Sequence, residues 1–127
     1  LIRYLQANGF QDLTIMEGSW VGDKTEESFE VCGYNELAEK YQVKLIDAQK
    51  EPAVTMDCGG LELHICRCAT EVDYMINVPV MKGHCQTKIT CALKNMKKYM
   101  KKYGEVSTLS SRGLSIFTYR DCAKSLT

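Results

Sequence analysis

The sequence predicts an α/β fold, with a mixed, largely parallel sheet flanked by helices. Three observations carry that expectation. Short alternating or apolar runs recur at 12–16 (DLTIM), 43–47 (VKLID) and 74–78 (YMINV), as strands do. Segments with helical periodicity lie between them, and strands that alternate with helices imply parallel pairing. A third pattern, VTM and LELHICR on either side of Asp57-Cys58-Gly59-Gly60, is that of a hairpin and makes the sheet mixed.

In chain order, Leu1, Ile2 and Leu5 recur at helical spacing, and Asn8-Gly9 supplies a stop. Leu13 and Ile15 share one face of the first strand, which runs from Asp12 to Met16. A loop from Glu17 to Gly22 leads to a helix capped by Asp23 or Thr25, running through Phe29 and Val31 to Cys32 and ended by Gly33. Asn35 caps the next, with Leu37, Ala38 and Tyr41 on a stripe. Val43 to Asp47 is the second strand, and the hairpin follows. Ala69 to Asp73 is a connection. Tyr74 to Val78 is apolar on both sides, as a central strand should be, and Pro79 closes it. A polar loop, Met81 to Thr87, then precedes a long helix from Thr90 to Tyr103 that Gly104 stops. A strand at Leu114 to Tyr119 and a helix at Asp121 to Leu126 complete the expectation.

The 127 residues suit one domain, 1–127, with 45% hydrophobic and 25% charged residues. Sixteen basic residues balance sixteen acidic ones, which argues against a dedicated nucleic-acid binder. No run approaches the roughly 20 apolar residues of a membrane span. The opening Leu1-Ile2-Arg3-Tyr4-Leu5 has no leader pattern and no starting Met, and reads as part of an incomplete domain. Seven cysteines are an odd count with no iron–sulfur spacing, which favours reduced thiols and a cytoplasmic setting.

In α/β sheets the ligand crevice lies beyond the carboxyl ends of strands. Two loops hold that position. The first carries Glu17, Ser19 and Trp20; the second carries Lys82, His84, Cys85 and Thr87. Lys82 offers a movable positive charge, Gly83 admits close backbone approach, and Thr87 or Thr90 can cap the helix, with Lys94 and Asn95 in its first turns. The expectation is a site for a small carboxylate or phosphate, with His84 as proton donor or acceptor. Its rival is an ordinary strand–loop–helix junction with a Thr cap. His84, Cys85 and Cys91 are the only metal candidates, and three ligands without a close cysteine pair fall short of a closed site. Lys94, Lys97, Lys98, Lys101 and Lys102 give the helix a lysine face, read as solvated, where an anionic membrane or nucleic acid could dock. His64 reads as a half-exposed strand residue beside Glu62 and Cys66.

These residues resemble the family known as domain of unknown function 362. Ile76, Asn77, Val78, Pro79, Lys82, His84, Thr87, Thr90, Ala92, Lys94, Asn95 and Lys97 match its INVPxxKTH and TxAxKNxKG motifs. Upstream, Thr25, Phe29, Gly33, Tyr34, Leu37, Ala38, Val43, Leu45 and Asp47 fit a second stretch. The resemblance covers 1–97. It departs at Lys98, where the family has Gly, and the tail 98–127 matches poorly. It implies an α/β protein with a ligand cleft, often beside ferredoxin-type iron–sulfur modules, and a distant likeness to nickel-cofactor lactate racemases that transfers no residue. It strengthens the expectation that Lys82 and His84 face a ligand. It leaves the cofactor unknown and adds an iron–sulfur protein or domain as a partner. The function expected is therefore a cytoplasmic domain that binds a small anion or cofactor at 82–95. The alternative is a non-catalytic module that docks a ferredoxin-type partner domain.

Overall fold

The computed structural model describes residues 1–19, 22–60, 62–84 and 88–100. The strand and helix expected beyond Gly104 lie outside the described residues. The chain divides into two compact units, Leu1–Glu51 and a second beginning at Pro52.

The first unit contains α1 (Ile2–Ala7), β1 (Thr14–Glu17), α2 (Thr25–Val31), α3 (Tyr34–Tyr41) and β2 (Lys44–Asp47). β1 and β2 run parallel, from Thr14 opposite Lys44 to Glu17 opposite Asp47. Parallel neighbours need a crossover, and α2 and α3 supply it. Phe29 and Val43 are buried, and the Phe29 ring meets Tyr34 at 5.8 Å between centroids. Gly33 takes the left-handed region (φ 71°) between the two helices, a conformation that costs a side chain about 1 kcal/mol or more. Gly33 is thus the N-cap of α3, not Asn35. Lys24 is the N-cap of α2, not Asp23 or Thr25, because the Thr25 hydroxyl turns inward to accept the Ser19 N–H at 3.2 Å. Only 1% of Thr25 is exposed. The Gln6 amide donates to the Tyr41 carbonyl at 2.8 Å and fastens α1 to the end of α3.

The second unit opens with the expected hairpin, β3 (Ala53–Asp57) against β4 (Glu62–Cys66). Asp57 accepts the Gly60 N–H at 2.7 Å, and Gly59 and Gly60 supply the positive φ that the turn requires. Met100 bridges Ile65 in the antiparallel sense, so the chain returns alongside β4. Leu63, Cys66 and Ala69 are buried in this unit, and a short α4 (Arg67–Thr70) begins the segment expected as a connection. Cys58 is fully buried and disulfide-bonded. The expectation of uniformly reduced thiols is corrected at that position, while Cys32 and Cys91 are free thiols.

Two further differences concern the second half. Tyr74–Val78 joins no ladder, and Tyr74, Ile76 and Val78 are 85%, 56% and 67% exposed. An apolar run becomes a central strand only where neighbours take its N–H and C=O groups. Among the described residues none does. The loop expected at 81–87 instead starts a hairpin, β5 (Lys82–His84) against β6 (Lys88–Thr90). The helix expected from Thr90 is α5 (Ala92–Met96), which tightens into a 3₁₀ turn at Lys97–Tyr99. The described strands thus form one parallel and two antiparallel pairs, so helices and mixed strands are present but parallel pairing does not dominate.

Candidate functional site

The β5–β6 register sets Lys82 opposite Thr90, Gly83 opposite Ile89 and His84 opposite Lys88. Residues directly opposite in an antiparallel pair share a face, and strand residues two apart do too. Lys82, His84 and Thr90 therefore gather on one side of the hairpin, with Lys88 across from His84. Lys82 and Lys88 are exposed, and His84 is half-buried. The Thr90 hydroxyl is buried without a hydrogen-bond partner. An unmade bond of that kind costs roughly 1–3 kcal/mol, which an acceptor or donor from a ligand would recover. Lys88 has φ 66°, a left-handed conformation that costs a non-glycine residue about 1–2 kcal/mol. Strain and an unmet hydroxyl thus coincide on a face rich in positive charge.

Thr90 does not cap α5. It belongs to β6, and Cys91 is the N-cap, with no side-chain capping bond. Thr87, the other expected cap, lies outside the described residues, as do Cys85 and Trp20. Cys91 is half-buried and free. Among the described residues no three His, Cys, Asp or Glu side chains stand together as a metal site; the His84, Cys85 and Cys91 set includes Cys85, which lies outside those residues.

The arrangement that sequence reasoning missed is an amide lock. Asn77 donates from Nδ2 to the Ala92 carbonyl at 2.9 Å, and Asn95 donates from Nδ2 to Asn77 Oδ1 at 2.7 Å. The orientation follows from chemistry: a carbonyl only accepts, so Asn77 must present its NH₂ to Ala92 and its oxygen to Asn95. The lock ties the extended INVP segment to α5 and so holds both ends of the 82–90 hairpin. Asn95 is therefore a positioning residue in this unit, while Lys94 lies half-buried on the same helix. The signal lay in the two asparagines of the quoted motifs, but eighteen residues separate them and no periodicity links them. The hairpin had a faint signal too: Lys82 and His84, then Lys88 and Thr90, alternate about a three-residue gap, with little β-propensity to announce it.

In the first unit, Ser19 follows β1 as expected, whereas Glu17, expected in the loop, is the last residue of β1. Glu17 stands opposite Asp47 at the carboxyl end of the parallel pair, and its Oε1 accepts the Gly18 N–H at 2.8 Å. Ser19 binds its own loop. Its hydroxyl donates to the Asp23 carbonyl at 2.9 Å, and Gln49 donates to the Ser19 carbonyl at 2.7 Å. These bonds close the β1–α2 loop over the end of β2.

No curated protein and no solved structure matches the chain. A family model does, the Domain of unknown function (DUF362), over residues 1–112. That span runs past Lys97, where the motif resemblance ends, and takes in most of the 127 residues. Together with the INVP and KN asparagines joined in the amide lock, it establishes that the chain belongs to the DUF362 family.

Proposed function

We propose that this chain binds a small anionic ligand or cofactor, a carboxylate or a phosphate, at residues 82–95. The observation that carries the reading is the hairpin register. It brings Lys82, His84 and Thr90 to one face, with the Thr90 hydroxyl unpaired. Lys82 supplies charge, Thr90 a hydroxyl donor, and His84 an imidazole that can donate or accept a proton. Thr87, Lys94 and Asn95 belong to the same segment, whereas Glu17 and Ser19 belong to the first unit. If the site turns over a ligand, the fitting reaction is acid–base chemistry on an organic acid, or redox chemistry shared with a separate iron–sulfur protein. The free thiols of Cys32 and Cys91 support a cytoplasmic setting, against which the Cys58 disulfide stands.

The test is a titration of the full chain with inorganic phosphate, and separately with acetate, followed by amide NMR shifts of residues 82–84 and 88–95. The expected result is saturable movement of these signals. Lys82→Met and Thr90→Val should each weaken it about tenfold, the equivalent of ~1.4 kcal/mol. Shifts that do not saturate, or that survive both substitutions unchanged, would refute the reading.

A further inference from the structure

The formal charge of zero conceals a steep asymmetry. Residues 1–51 carry five Lys and Arg against ten Asp and Glu, whereas residues 52–127 carry eleven against six. The excess is concentrated further: between Asp73 and Glu105 there are seven lysines and no acidic residue. The same stretch displays bare apolar side chains. Ile76, Val78, Val80 and Met81 are 56%, 67%, 71% and 74% exposed, and Ile89 and Leu93 are also exposed. The alternation of exposed Ile76, Val78 and Val80 with half-buried Asn77 and Pro79 is the two-residue period of an extended chain, so the bare groups share a face. The amide lock between Asn77 and Asn95 sets that extended run beside α5, and the Lys82–Thr90 hairpin links the two. Exposed lysines at 82, 88 and 97 therefore belong to the same local structure as these exposed aliphatic groups.

We propose that this surface docks on an anionic lipid bilayer, with the lysines among the headgroups and Ile76, Val78 and Val80 at the acyl boundary. Exposed aliphatic side chains interspersed with lysines have the composition of an interfacial membrane contact. A nucleic acid would call for arginine forks and stacking rings. The stretch holds no arginine, and Tyr74 is its one exposed ring among the described residues. The proposal goes beyond the small-anion site and stands without it.

The experiment is co-sedimentation of the full chain with vesicles of phosphatidylcholine containing one-quarter phosphatidylserine, and with vesicles of phosphatidylcholine alone. Binding is expected to the first and not the second. It should fall as salt rises from about 0.1 M to about 1 M, because the screening length shrinks from about 10 Å to about 3 Å. Lys97→Glu should weaken it more than fivefold, since each lysine near such a surface contributes about that factor. The exposed pair Val78→Ser and Val80→Ser should weaken it while leaving the circular dichroism unchanged. Inorganic phosphate at matched ionic strength should leave vesicle binding in place, which separates it from the hairpin site. Equal binding to neutral vesicles, no binding, displacement by phosphate, or binding to single-stranded RNA in place of vesicles would each overturn the proposal.

Discussion

Truncating Asn77 to Ala takes away a donor to the Ala92 carbonyl at 2.9 Å and an acceptor for the Asn95 amide at 2.7 Å. Each of these hydrogen bonds is worth about 1 kcal/mol net, so the single substitution should cost about 2 kcal/mol. Asn95→Ala loses one bond, about 1 kcal/mol, but puts a better helix former into α5 and recovers about 0.5 kcal/mol. Its observed cost should be only about 0.5 kcal/mol, which read alone would make the pair look idle. The double variant resolves this. The propensity gain is common to both arms of the cycle and cancels, leaving a coupling of about 1 kcal/mol. Native-state amide exchange at Asn95, whose N–H donates to the Cys91 carbonyl at 2.9 Å, reports the opening of α5 directly. Single effects that add to within about 0.3 kcal/mol would mean that the two amides do not act as one unit. The account of how the INVP segment is held beside α5 would then be wrong.

Other consequences follow from the same geometry. Phe29→Ala empties the centre of the first unit, where Phe29 is 5% exposed, and should cost about 3 kcal/mol or more in urea unfolding. Thr25→Val keeps the shape of a side chain that is 1% exposed but strands the Ser19 N–H, for about 1–3 kcal/mol. If Thr25→Ser, which keeps the hydroxyl, loses as much, the bond is not the cause. Glu27, by its hydrogen bond and then its charge, holds the Lys24 ammonium above its ordinary 10.5. The folded value is the raised one, so whatever stability the pair adds is fully present at neutral pH and is lost as pH climbs past 10.5. NMR titration of the Lys24 side chain should move to lower pH in Glu27→Gln, and an unmoved curve would remove Glu27 as the cause.

Much of the architecture was legible one segment at a time. The hairpin about Asp57-Cys58-Gly59-Gly60 was plain because turn chemistry and two-residue alternation agree there. The β1–β2 pair was visible because helical periodicity separates two short alternating runs. Caps were less legible. Thr25 has the chemistry of a cap, yet its neighbour Lys24 holds that position, because burial of the Thr25 hydroxyl against Ser19 outweighs the local preference. Lys82, His84, Thr90, Lys94 and Asn95 could be singled out by type, but not their arrangement.

Residue types, the order of elements and the periods of three to four or of two are local properties, written in consecutive side chains. They were enough for an α/β chain of this family, and for the lysines and histidine of its 82–95 segment. Which strand finds a neighbour is a long-range matter. Among the described residues Tyr74–Val78 finds no strand to pair with; Asn77 and Asn95 meet only because folding closes the hairpin between them. A backbone N–H or a side-chain amide has many partners available in sequence, and the one it takes is settled by what the fold brings within 3 Å.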